Sequence, residues 1–306
     1  MLCPPSTVQL LLLDFWPPDV KLISACAENH CEEVEALLQK PVSPDVPNHD
    51  GWTALHMAAW EGHLQCVSLL LEAGAKQDQE DPFGSTALYW AAENGDPKVV
   101  ELLLAAGADQ DKAANDGTTA LHIASAIGHP QVVELLLVAR ADKDTAALDG
   151  TTALHIAAGN GHTKVVQLLL NAGADKDMPR ADGDGTTALH RAAGMGHPEL
   201  VQLLLAAAAD VEKKAFGGGG SALHFAAGNG RSEVVQVLIQ ASAQGITELT
   251  RDPRIALDLA AMFGQLETVQ LLLQAYRDHF SFGDLWSAYA SAERNGHRDV
   301  MRVLLA

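Results

Sequence analysis

Basic residues are scarce in this chain. It carries 20 Lys and Arg against 39 Asp and Glu, a formal net charge of -19 at pH 7. That balance repels phosphate backbones and anionic lipid, so neither nucleic acid nor a membrane surface is an expected partner. Aromatics are also few, at 5%, while hydrophobic residues reach 48%. The excess of Ala and Leu suits short packed helices better than strands. Cysteine is confined to Cys3, Cys26, Cys31 and Cys66, with no CxxC pair among them. Neither a zinc site nor a disulfide framework is indicated, and buried free thiols in a reducing compartment are expected. Long apolar runs are missing too. The stretch TVQLLLLDF near the start lacks a basic leader and is interrupted by Asp14, so it suits neither a signal peptide nor a membrane span. The expected location is the cytoplasm, with the nucleus also compatible.

What is present is repetition. GTTALHIAAGNGHTKVVQLLLNAGADKD, residues 150–177, restates GTTALHIASAIGHPQVVELLLVARADKD, which begins 33 residues earlier. The same Thr position falls at Thr53, Thr86, Thr119, Thr152, Thr187, Ser221 and Ile255, in steps of 33, 33, 33, 35, 34 and 34 residues. Weaker copies begin at Val20 and Ser287, making nine units. The organisation read from this is an extension or cap over 1–19, then a single array over 20–306. Its units begin near 20, 53, 86, 119, 152, 187, 221, 255 and 287.

One unit reads as two short helices. Thr152 can cap the first with its hydroxyl, and Gly161 supplies the left-handed residue that ends it. The second starts after His162 and stops at Gly173; elsewhere its start is marked by Pro97, Pro130 and Pro198, at the position where a helix needs no N–H partner. The Asp- and Gly-rich stretch before the next Thr reads as a turn-bearing connection. Helices of eight or nine residues are marginal alone, so stacking must hold them. Leu154, Ala157, Ala158, Val165, Val166, Leu168 and Leu169 provide the apolar faces.

These residues resemble the ankyrin repeat: its Thr-x-Leu-His-x-Ala-Ala motif, its Gly-His turn, its Val-Val-x-Leu-Leu-Leu second helix and its Gly-Ala-Asp exit. Ala stands where that family usually has Pro after the Thr. The resemblance covers residues 20–306. It implies an all-α ankyrin-repeat solenoid of about nine helix-turn-helix units with projecting hairpin loops. It also implies a concave face that binds other proteins, with no catalytic activity and no cofactor.

In such an array a residue demanded by the architecture recurs at the period, whereas one demanded by a partner need not. His56, His122, His155, His190 and His224 form one ladder, and His63, His129, His162, His197 and His297 another. A ladder repeats one group without a distinctive second partner, so neither catalytic nor metal-binding residues are expected there. Tyr89 interrupts the first ladder, with a hydroxyl able to serve similarly. The resemblance assigns that ladder to backbone hydrogen bonds between units. Asp78, Asp111, Asp144, Asp177 and Glu212 form an acidic ladder, partly neutralised by Lys143, Lys176 and Lys213. It reads as a solvated edge or as a dock for a partner with a basic surface. DGDG at 182–185 lacks the later ligands of a calcium loop. GGGG at 217–220 has no Lys-Ser/Thr after it, so it is not a phosphate loop.

Singular residues are the candidates. By resemblance, the partner-facing places are the hairpin tips, the residue before the Thr, and the two residues before the turn Gly. In the second and third units these hold Trp52, Trp60, Glu61, Phe83, Glu93 and Asn94; Ile127 extends the stripe in the fourth. Large aromatics there have no structural demand and suit a recognition hot spot, unless the rings fold back on neighbouring tips. Trp90, aligned with Met57 and Ile123, reads as core. The unit at Ile255 departs most, with Asp258 for His and with Met262 and Phe263 offering either a second patch or decay. The expectation is a monomeric, non-enzymatic scaffold that binds a protein partner. The alternative is a substrate-recruiting or regulatory subunit of a larger enzyme complex such as a ubiquitin ligase.

Overall fold

The computed structural model describes residues 18–181, 184–215, 219–243 and 253–306. Most of the 1–19 extension, the first half of DGDG, the first half of GGGG and residues 244–252 lie outside them. Among the described residues are 18 α-helices in nine consecutive pairs. The pairs are α1 (Pro18–Ala27) with α2 (Cys31–Leu38), α3 (Ala54–Trp60) with α4 (Leu64–Glu72), α5 (Ala87–Asn94) with α6 (Pro97–Ala105), and α7 (Ala120–Ile127) with α8 (Pro130–Val138). Then come α9 (Ala153–Asn160) with α10 (Thr163–Asn171), α11 (Ala188–Met195) with α12 (Pro198–Ala206), and α13 (Ala222–Gly228) with α14 (Ser232–Ala243). The series ends with α15 (Pro253–Met262) and α16 (Leu266–Tyr276), then α17 (Phe282–Arg294) and α18 (Arg298–Leu305). Helix α1 begins two residues inside the segment read as an extension. Helix α17 starts well before Ser287, because Ser281 and Asp284 close a capping box there.

The chain divides into two units, Met1–Asp142 and Lys143–Ala306. In the first, α1, α3, α5 and α7 pack in sequence, as do α2, α4, α6 and α8. In the second, α9, α11, α13, α15 and α17 form one layer and α10, α12, α14, α16 and α18 the other. Small residues make this close approach possible. Ala58, Ala59, Ala91 and Ala92 are 0% exposed in the first unit, and Ala157, Ala158, Ala192 and Ala193 likewise in the second. Val67, Leu70, Val99, Val100 and Leu103, with Val165, Val166 and Leu169, fill the space between layers. Short helices thus gain from tertiary contact the stability they lack alone.

The first His ladder joins helix pairs to their successors within each unit. At Thr53 the backbone N–H donates to His56 Nδ1 over 3.2 Å, so the ring proton sits on Nε2, which donates to the Gln79 carbonyl at 2.9 Å. His155 reaches Thr186 O and His190 reaches Gly220 O, both at 3.1 Å. Tyr89 extends its hydroxyl to the Thr118 side chain instead. The second ladder points backwards, to the end of the preceding first helix: His63 to Cys26 O at 2.9 Å, His129 to Glu93 O at 3.1 Å, His197 to Gly159 O at 3.1 Å and His297 to Met262 O at 3.0 Å. Where His is lacking, Arg231 Nε donates to Gly194 O and Gln265 Nε2 to Gly228 O. Asp258, the departure from the first ladder, accepts from the Ser291 hydroxyl of α17 at 2.9 Å.

The acidic ladder proves to be a clamp as well as an edge. Asp78, Asp111, Asp144 and Asp177 each accept, through Oδ1, the backbone N–H of Asp109, Asp142, Asp175 or Asp210 in the next connection, at 2.8 to 2.9 Å. A carboxylate oxygen accepting a backbone N–H is a charge-assisted bond, stronger than the same bond to a neutral amide oxygen. The connections themselves are tight turns rather than strands. Asp81 N donates to Ser85 O, Ala114 N to Thr118 O and Ala147 N to Thr151 O. One isolated antiparallel bridge, Ala146 with Thr152, is present.

Several second helices end on a left-handed residue, which is Gly173 in one pair but Ala208, at φ 58°, in the next. Ala208 is exposed, so its side chain contributes no packing to offset that backbone cost. Ala208→Gly therefore raises stability by about 1 kcal/mol, read as a higher denaturation midpoint, since glycine adopts this region without strain.

Candidate partner-binding face

The second and third helix pairs bring three indoles together. Trp52 precedes the cap Thr53, Trp60 ends α3, and Trp90 lies in α5. The Trp52 ring centroid is 5.6 Å from that of Trp60 and 4.7 Å from that of Trp90; Trp60 and Trp90 are 6.1 Å apart. Tilted arrangements at this spacing are favourable for π-systems with positive edges and negative faces. All three rings are half-buried. They pack on each other and still present surface.

The hairpin tips hold this cluster in place. Asn48 Oδ1 accepts the Trp52 N–H at 2.9 Å and fixes the backbone before α3. One tip further, buried Asp81 accepts the Phe83 and Ser85 N–H groups through Oδ1, at 2.8 and 2.9 Å. Its Oδ2 accepts the Trp90 indole N–H at 2.9 Å. Trp90 is thus not the core residue expected from its alignment with Met57 and Ile123. Met57 and Ile123 are themselves half-buried, so this register lies at the edge of the layer, and the indole adds a donor that reaches the tip carboxylate. Beside it a cleft of about 350 Å³ is lined by Phe83, Tyr89, Trp90, Asn115, Asp116 and Thr118, among others.

The remaining candidates surround this centre. Phe83, at the tip, is 62% exposed and lines the cleft rather than joining the Trp cluster. Glu61 and Asn94 are exposed at the ends of α3 and α5. The Asn94 amide lies against Gly62: a Cβ there would stand 2.9 Å from Asn94 Oδ1, and φ at Gly62 is +74°, so a glycine is required on both counts. Ile127 is 42% exposed one pair further on, outside both cluster and cleft. Glu93 is half-buried, one turn beyond Trp90. Its Oε2 is shielded from solvent with no hydrogen-bond partner, and burial holds its carboxyl above the usual range. For Asp116, burial works against the charge, but hydrogen bonds from Thr118 prevail and keep its carboxyl below the usual value.

This arrangement offers apolar ring faces beside carboxylates, which suits a cationic or amphipathic side chain through ring contact, cation–π attraction and ion pairing. The ladder histidines traced above are committed to backbone carbonyls. Among the described residues no group of three or more His, Cys, Asp or Glu is placed to hold a metal ion, and no helix is long and apolar enough to cross a membrane.

A family model for ankyrin repeats, in the form of three copies, matches residues 5–81, 22–114, 74–147, 121–215 and 214–282. The chain belongs to the ankyrin-repeat family. Ankyrin repeats are generally protein–protein interaction modules. In this ankyrin array the unusual residues stand on the tip and first-helix side, where Trp52, Trp60 and Trp90 meet.

Two further features of the array lie apart from the Trp cluster. One is a row on α17, where Phe282, Trp286 and Tyr289 stack with centroids 6.4 and 5.4 Å apart, Phe282 being 83% exposed. Their spacing of four and three residues was the available signal, masked by the charges that mark a capping repeat. The other is a cleft of about 470 Å³ lined by Phe225, Leu259 and Phe263, with Gly228 and Gln265. Phe263 therefore does line a surface, while the Met262 carbonyl serves the His297 ladder.

Proposed function

We propose that this ankyrin array is a non-enzymatic recognition scaffold, and that it grips a protein partner at the Trp52, Trp60 and Trp90 cluster with Phe83, Glu61, Glu93, Asn94 and Ile127 around it. The observation that carries the reading is the cluster itself: three indoles in a chain with 5% aromatics, two of which, Trp52 and Trp60, stand where most other units carry small or polar residues. Trp is the residue most enriched among interface hot spots, because it buries much area at low entropic cost.

The partner we infer presents Lys or Arg beside an apolar anchor. Glu93 supports this, since its shielded Oε2 gains an ionic partner only from outside the described contacts. A cation placed there stabilises the charged form, so the complex releases a proton from a carboxyl that burial had raised. Affinity accordingly falls as pH is lowered into the range just above the ordinary carboxylate value, and Glu93→Gln flattens that dependence. The test is affinity capture with chemical cross-linking, comparing the native chain with a Trp52, Trp60 and Phe83 triple alanine variant of unchanged helix content. Cross-links near 52–94 that vanish in the variant are expected. Equal capture by both chains contradicts the assignment.

A further inference from the structure

Three of the four cysteines, distant from any repeat requirement, converge at the first two helix pairs. Cys26 lies near the end of α1, Cys31 opens α2, and Cys66 is the third residue of α4. All three thiols are free. Cys31 Sγ and Cys66 Sγ are 3.5 Å apart, and both sulfurs lie against Asn29 Oδ1, at 3.4 and 3.6 Å. Asn29 takes the left-handed conformation, φ 60°, in the turn that carries Cys31 towards α4. The counterparts of Cys66 in later pairs are Val99, Val132 and Val165, and those of Cys31 are Leu64, Pro97 and Pro130. Packing alone asks for none of these thiols.

We propose that Cys31 and Cys66 are a peroxide-responsive pair that closes reversibly into a disulfide, joining α2 to α4. The geometry supports closure, because the sulfurs need approach only from 3.5 Å to about 2.05 Å, and both sit on neighbouring helix starts. Access is divided between them. Cys66 is 0% exposed, whereas Cys31 is half-buried and open to a small oxidant.

Access gives Cys31 the encounter with peroxide, and the titration of the cluster gives Cys66 the resolving role. Cys66 is lowered from the ordinary thiol value, first by a hydrogen bond from Cys26, against burial, with help from Cys31 and from the nearby His63 and His30. Cys26 is raised by its bond to Cys66 and by burial, and stays protonated. Cys31 is raised by burial and then by Cys66. Cys31 loses its proton to water and attacks hydrogen peroxide; the O–O bond breaks, giving a sulfenic acid and hydroxide. The Cys66 thiolate then attacks the Cys31 sulfur, the S–S bond forms, and hydroxide leaves. Two thiols and one peroxide become one disulfide and two waters.

The experiment treats the full chain with hydrogen peroxide and follows intact mass and peptide maps. Loss of two hydrogen atoms, a Cys31–Cys66 linked peptide, and full reversal by dithiothreitol are expected. Cys3→Ser and Cys26→Ser retain the link. Cys66→Ser loses it and leaves a Cys31 sulfenic acid that dimedone traps, while Cys31→Ser leaves Cys66 unmodified at the same dose. Thiols that remain reduced, a link through Cys26 or Cys3, or only chain-to-chain dimers overturn the proposal.

Discussion

Trp52→Ala weakens partner binding by about 2 kcal/mol or more, roughly thirtyfold, with helix content unchanged. Trp52 touches both other indoles and His56, the last at a centroid distance of 6.0 Å, so its removal takes away contact area and the support of its neighbours. It stands before the cap Thr53 rather than within α3, and it is half-buried, so the fold itself loses less than a core deletion would cost. Titration calorimetry against the cross-linked partner measures the change. Asp81→Ala, which frees the Trp90 N–H from its 2.9 Å bond, acts in the same direction by loosening the ring. Phe263→Ala, in the cleft at the end of α15, leaves affinity unchanged. Undiminished binding by the Trp52 variant removes the hot spot from the account.

Mild acid destabilises the fold through its histidines, before the carboxylates titrate. Burial lowers His56, His155 and His190 below the ordinary value of 6.5. Each ring is already committed, with Nδ1 receiving the Thr N–H and Nε2 donating to a carbonyl, so a second proton would replace an acceptor with a clash of donors. The unfolded chain takes up protons below pH 6.5 that the folded chain refuses. Stability is therefore complete above that pH and is lost as pH falls below it, by about 1.4 kcal/mol per pH unit for each such histidine. The unit Lys143–Ala306 holds two of them, so its slope approaches twice that figure until the folded-state values are reached. Urea denaturation at pH 7.5 and 5.5 reads this directly. His155→Gln reduces the slope by one proton, and a pH-independent midpoint across that range contradicts it.

Much of the fold was legible because the period states it repeatedly. Thr152, Gly161 and His162 mark the ends of α9 and the start of α10, and the same marks recur pair after pair. Less legible was what the recurring polar groups do. Asp111 looks solvated in one dimension, and only the fold places Asp142 N–H 2.8 Å from its carboxylate. The candidate face was half visible. Trp52 and Trp60 stand out as singular, but Trp90 occupies an apolar register that is half-buried in other units too, and its place in the face depends on Asp81, nine residues away, being turned towards it. The thiol cluster shows the same limit: Cys31 and Cys66 share no motif, because their meeting is made by stacking rather than by spacing.

Amide hydrogen exchange of the array with and without its cross-linked partner tests the central claim most directly. The account predicts slowed exchange over 52–61 and 81–94, with the second helices little changed. Protection confined to 253–306, or to the second helices alone, contradicts a partner seated on the tryptophans.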